Sequence, residues 1–182
     1  LMSSKALIVI DYTYDFVADD GKLTCGKAGQ AIEQTIASLV EEYIATDELV
    51  VFTNDIHYEN NEFHPEAKLF PPHNIAGTAG RELYGSVKDT YEKHKNKCIS
   101  LDKTRYSAFT GTNLHQLLQE RGIHEISLVG VCTDICVLHT AVDAYNLGYK
   151  MSIYKNGVAS FNATGHDWAL SHFVSSLGAD VL

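Results

Sequence analysis

Short, continuous runs of apolar residues alternate with stretches of helical periodicity along this chain, and that alternation limits the folds open to it. The runs are Ala6–Ile10 (ALIVI), 49–53 (LVVFT), 97–101 (KCISL), the opening of 126–149 (ISLVG) and 150–154 (KMSIY), with a last apolar edge at Val181 and Leu182. Between them, helical spacing predicts helices over 31–44 (Ile32, Ile36, Leu39, Val40, Tyr43), around 81–88, over 113–120, from Ile135 to Gly148, and over 164–177. A run without polar alternation is what a strand buried on both faces needs. The expected fold is therefore α/β: a three-layer Rossmann-like sandwich, a mostly parallel central sheet with helices on both faces and right-handed crossovers. Nothing in the sequence suggests a repeat or a linker, so the 182 residues read as one domain.

Two segments stand outside this pattern. Residues 12–25 carry an acidic Asp19-Asp20-Gly21 turn and little periodicity, and read as a loop. Residues 58–78 are long and irregular and hold all 3 prolines of the chain. Their Phe63, Leu69 and Phe70 argue for packing, so the segment is expected to form a wall or lid.

In parallel sheets the ligand crevice lies beyond the carboxyl ends of the strands. Asp11 follows the first strand, Asp55 and His57 the second, Lys103 the third and Cys136 the fourth. Four separated segments thus deliver reactive groups to one edge. Thr133 or Asp134 is expected to cap the helix after Gly130, placing Cys136 in its first turn, where free amides and the helix dipole favour a thiolate. Cysteines in such chains are more often small buried hydrophobes. With Asp11 and Lys103 at the same edge, however, a carboxylate could remove the thiol proton and return it to a departing amine, while the ammonium keeps both anions tolerable.

Asp55-Ile56-His57 is a second cluster, because alternation along an extended segment points Asp55 and His57 the same way. With His73, and Glu66 or His64, it offers nitrogen and oxygen donors suited to Zn²⁺, Mn²⁺ or Fe²⁺. Taken alone, a D-x-H pair is equally compatible with solvated loop side chains. A formal charge of −9 argues against a nucleic-acid or anionic-membrane partner, and no apolar run approaches the roughly 20 residues of a membrane span. The 4 cysteines lack an evident secretory leader ahead of them, so a reducing cytoplasm is the expected compartment and disulfide scaffolding is not.

Taken together, ALIVIDYTYDF, FTNDIH, HPEAKLFPPHNIAGTAG, DKTRYSAF and GVCTDICVLHTAVDAYNLGY resemble the isochorismatase-like cysteine hydrolases, and among these the nicotinamidase (pyrazinamidase) branch. The likeness runs along nearly the whole chain in the family's order. It implies Asp11 as general base and acid, Lys103 as third triad member and Cys136 as nucleophile. It also implies a cis peptide before Cys132, with the backbone amides of Cys132 and Cys136 forming an oxyanion hole. One divalent metal, zinc first with manganese or iron as alternatives, would be held by Asp55, His57, His73 and Glu66. The implied reaction turns nicotinamide into nicotinic acid and ammonia through a thioester, in NAD salvage, with Phe16, Phe70 and Tyr106 walling the ring and pyrazinamide as a second substrate. Relatives also imply a homo-oligomer. Thr13 stands where many relatives have glutamine, and Cys132 where several have alanine.

Other readings exist. A relative acting on a different amide or a carbamoyl compound would use the same fold. A thiol-redox protein could use Cys132 and Cys136, although C-T-D-I-C has one residue too many for the usual C-x-x-C spacing. A binding module would have lost a triad member, and none is missing.

Overall fold

The computed structural model describes residues 4–182. Six strands, β1 (Ala6–Ile10), β2 (Leu49–Asp55), β3 (Cys98–Lys103), β4 (Glu125–Val131), β5 (Lys150–Ala159) and β6 (Asp180–Val181), form one sheet in the order β3-β2-β1-β4-β5-β6. Every pairing is parallel. Seven α-helices connect or flank them: α1 (Tyr14–Val17), α2 (Gly26–Gln30), α3 (Glu33–Ala45), α4 (Gly85–His94), α5 (Leu114–Gln119), α6 (Leu138–Asn146) and α7 (Ala163–Ser175).

β1 explains why the apolar runs are unbroken. Ala6, Ile8 and Ile10 pack with Leu114, Leu118, Val137, Ala141 and Phe173 on one face, while Leu7 and Val9 pack with Ile36, Val40 and Val87 on the other. All five β1 residues are inaccessible to solvent. Alternate side chains therefore serve two cores, one under α5, α6 and α7 and one under α3 and α4. Burying each such side chain contributes roughly 1.5–3 kcal/mol.

Where β1 meets β4 the strand order reverses, which makes this the topological switch point. Gly130 lies there at φ +123°, and a Cβ would fall 2.0 Å from the carbonyl oxygen of Ile10. The two backbones thus approach in a way only glycine permits. At the carboxyl end of β1, Asp11 itself sits at φ 53°, its amide donating to the Thr53 carbonyl at 2.9 Å.

Several local expectations need correction. One helical turn, α1, lies inside the segment expected to be loop, and the helix expected around 81–88 is α4, shifted to Gly85–His94. β5 continues five residues past Tyr154, because a bulge beside Gly130 restores its pairing at Val158 and Ala159. Phe63 and Leu69 do not pack: they are 95 % and 62 % exposed. Finally, neither Thr133 nor Asp134 caps a helix. A π-helical turn, Thr133–Val137, leads into α6 without a side-chain cap. The Thr133 hydroxyl instead pairs with His166 Nδ1 at 2.7 Å, and Asp134 accepts a 2.5 Å hydrogen bond from Ser160.

Candidate active site

Asp55 and Lys103 are the last residues of β2 and β3 and are register partners across the sheet. That pairing sends both side chains toward the end of β1. Lys103 Nζ lies 2.5 Å from Asp55 Oδ1, 2.9 Å from Asp11 Oδ2 and 3.6 Å from Cys136 Sγ, and donates to the Arg105 carbonyl at 3.0 Å. The other Asp11 oxygen accepts the Asp55 amide at 2.7 Å. All four residues are buried.

This is two carboxylates and a thiol around one ammonium, in a place water does not reach. Burial alone would drive Lys103 toward neutrality, but Asp11 and Asp55 outweigh it and hold the ammonium well above its ordinary range. Burial and the charge of Asp55 raise Asp11 to about 6, with Lys103 opposing. For Asp55 burial also resists ionisation, yet Lys103 and His57 win and its pKa is lowered. Burial and Asp11 push the Cys136 thiol up, against Lys103. The lowering of the Cys136 pKa expected at a helix start is thus corrected to a raising, with its sulfur within 4.8 Å of the carboxylates of Asp11 and Asp55.

On the far side of Asp55, single donor atoms of Asp55, His57, Glu66 and His73 lie within 4.8 Å of one another. His57 Nε2 is 3.8 Å from both Asp55 Oδ2 and Glu66 Oε2, and His73 Nε2 is 3.5 Å from Glu66 Oε1. Both of these Nε2 atoms are buried without a hydrogen-bond partner. His73 Nδ1 donates to the Pro71 carbonyl at 2.8 Å, which leaves Nε2 facing the cluster. Two orphaned imidazole nitrogens beside two carboxylates fit a divalent cation. His64 does not join them. Its Nδ1 accepts the Glu66 amide at 3.0 Å, so its Nε2 carries the proton, 2.5 Å from the Thr104 carbonyl. It anchors the short 3₁₀ turn Pro65–Lys68 that presents Glu66.

A narrow cavity joins the two clusters. Cys136, Cys132 and Asp55 border it together with Glu66, and Phe16, Phe70 and Tyr106, the three aromatic side chains singled out from the sequence, lie along its lining. Leu23, Ile135 and Phe161 complete the lining and escaped the sequence reading, since nothing local marks them. A wider groove of about 480 Å³ lies under residues 58–72 and touches His57, Glu66 and His73 but not the thiol. Of these two, the narrow cavity is the one bordered both by the Cys136 thiol and by carboxylates of the second cluster. The Val131–Cys132 peptide beside it is cis.

Sequence reasoning also missed what holds the cluster of Asp55, His57, Glu66 and His73 in place. Asn74, buried at φ 47°, accepts the His57 amide on its carbonyl at 3.0 Å and donates its own amide to Asp15 Oδ2 at 2.8 Å. Its side-chain nitrogen reaches Thr13 Oγ1 at 3.1 Å and the Asp55 carbonyl at 3.4 Å. Arg81 Nε donates to that same carbonyl at 2.8 Å, and its other end pairs with Asp102 at 2.6 Å. Partners 59 to 61 residues apart leave no local signal.

Among the described residues, no helix is long and apolar enough to cross a membrane. Residues 5–182 match the Isochorismatase domain family. A Bacillus subtilis protein described as the uncharacterized isochorismatase family protein PncA is 57% identical over 179 residues, covering 97% of this chain and 98% of that one. A crystal structure of nicotinamidase/pyrazinamidase PncA from Bacillus subtilis superposes with a TM-score of 0.96 at 57% identity, covering 98% of each chain. Pyrazinamidase of Pyrococcus horikoshii in complex with zinc superposes with a TM-score of 0.86 at 25% identity, again over 98% of each chain. The chain belongs to the isochorismatase family.

Proposed function

We propose that this protein is a metal-dependent nicotinamidase, converting nicotinamide to nicotinic acid and ammonia in NAD salvage in the cytoplasm and accepting pyrazinamide as well. One observation carries the reading: a single aromatic-walled cavity has the Cys136 thiol and the metal-ligand carboxylates on its border. A flat heteroaromatic amide matches that layout, apolar in its ring and polar at two ends.

In this reading Asp11 takes the thiol proton as the Cys136 sulfur attacks the amide carbon. Lys103 stays charged throughout and offsets the anions around it. The amides of Cys132 and Cys136 hold the oxyanion, each donor contributing about 3 kcal/mol. Collapse breaks the C–N bond, and the proton on Asp11 leaves with ammonia. Asp11 next takes a proton from water, the hydroxide adds to the thioester, and the sulfur departs to recover that proton. A divalent ion held by Asp55, His57, Glu66 and His73, zinc first with manganese or iron as alternatives, supplies a Lewis-acidic position for the ring nitrogen.

Nicotinamide and benzamide share the amide and differ in that nitrogen, so comparing their turnover tests the reading. The expected kcat/KM for benzamide is lower by about 10²-fold or more. Equal turnover of the two, or faster release of ammonia from carbamoyl compounds, would favour a different amidase of the same family. Asn74→Ala should weaken divalent-ion binding about tenfold, as loss of groups behind the ligands does, measured by competition with a chromogenic chelator.

A further inference from the structure

Cys25 and Cys132 come from segments 107 residues apart, yet their Sγ atoms lie 3.4 Å from each other. Both are free thiols. Cys25 is half-buried at the start of α2, its amide fixed to the Phe16 carbonyl at 2.8 Å, whereas Cys132 is 4 % exposed. The expected thiol-redox alternative paired Cys132 with Cys136. In the fold the Cys132 sulfur contacts Cys25 instead, and the Cys136 sulfur faces Lys103. Cys132 borders the narrow cavity, and Cys25 stands behind it, outside the lining. The triad chemistry uses neither sulfur.

We propose that Cys25 and Cys132 form a reversible disulfide that shuts down hydrolysis, Cys25 meeting the oxidant and Cys132 resolving it. The catalytic half of this proposal rests on the function proposed above. The oxidant is a hydroperoxide. The Cys25 sulfur attacks its outer oxygen, the O–O bond breaks, and a sulfenic acid forms while the thiol proton is passed through water to the departing oxygen, which leaves as water or an alcohol. The Cys132 sulfur then attacks that sulfenic sulfur, the S–S bond forms, the S–O bond breaks, and water carries off the oxygen. The two sulfurs lose two electrons, and the peroxide bond takes them.

A disulfide has its sulfurs about 2.05 Å apart, so bonding draws this pair together by roughly 1.3 Å from 3.4 Å. Cys132 lies between the end of β4 and the π-helical turn that carries Cys136, and its amide is one of the two oxyanion donors of the proposed mechanism. Displacing a positioned group by about 1 Å costs on the order of 10²-fold in rate.

The test treats the whole protein with limiting hydrogen peroxide, blocks remaining thiols without reduction, and maps the peptides by mass spectrometry. Peptides holding residues 25 and 132 are expected linked, lighter by the two hydrogens lost, in the parent and equally in Cys136→Ala. Parent turnover of nicotinamide should fall in proportion to linkage, at least tenfold when linkage is complete, and return with dithiothreitol. At the peroxide dose that links half of the parent, Cys25→Ser should keep its turnover. Absence of the linked pair, linkage without loss of turnover, or equal loss in Cys25→Ser would overturn the proposal. Mapping needs no activity, so linkage in a protein that never hydrolyses nicotinamide refutes the proposed function and, with it, the claim of shut-down.

Discussion

Replacing Cys136 with alanine is expected to lower kcat for nicotinamide by about 10⁴-fold or more while leaving its dissociation constant within a few-fold. In the proposed mechanism this sulfur forms the bond to the amide carbon, and it borders the cavity with Lys103 beside it. What survives its loss is the contribution of binding and of the oxyanion donors, which is small beside covalent catalysis. Stability should change little, because the Cys136 thiol makes only weak polar contacts, with Asp11 and with Lys103 at 3.6 Å. Serine in its place should be nearly as inactive, since Asp11, raised only to about 6, is a weak base for an alcohol. Quantified ammonia release, with substrate titration into the variant, checks both halves. Turnover within tenfold of the parent would remove the nucleophile assignment.

Lys103→Met is expected to destabilise the metal-free protein by about 3–5 kcal/mol, read from urea unfolding in the presence of a chelator. Methionine fills the volume but leaves two carboxylates, Asp11 and Asp55, facing each other with side chains 0 % and 2 % exposed. Removing one partner of a buried ionic group costs far more than the group contributes intact, because the residual charge has no water to turn to. The sign on catalysis follows from the same attraction. Lys103 holds Asp11 down, so without it the carboxyl pKa rises further and less of the carboxylate that takes the thiol proton is present at a given pH. Turnover should therefore fall as well. Adding Asp11→Asn to Lys103→Met should recover part of the lost stability, an interaction of at least about 1 kcal/mol in the double-mutant cycle. A loss under about 1 kcal/mol in the single variant would mean that this cluster is not ionised as described.

The central strands β1, β2 and β4 were legible because they are buried on both faces, and such strands announce themselves as unbroken apolar runs. Their carboxyl ends were legible too, and with them Asp11, Asp55, Lys103 and Cys136. Local helix signals served less well. α4 has two buried residues, Val87 and Thr90, so charged neighbours blurred its register. Thr133 and Asp134 looked like caps because a cap is the local use of such side chains, but His166 and Ser160 claim them from 33 and 26 residues away. Phe63 and Leu69 suggested packing by composition alone, and the turn at Pro65–Lys68 leaves them outside. Pairings such as Asp15 with Asn74 and Cys25 with Cys132 depend on tertiary contact and left no trace in sequence spacing.

The central claim is that a thiol and a divalent ion act on one amide in one cavity. Ammonia release from nicotinamide, measured on the same sample as isolated, after removal of metal by a chelator, and after return of zinc, manganese or iron, tests it most directly. Activity should fall to background with the metal, return with at least one of the three ions at one equivalent per chain, and stay at background in Cys136→Ala whatever ion is supplied. Full activity in demonstrably metal-free protein would contradict the account.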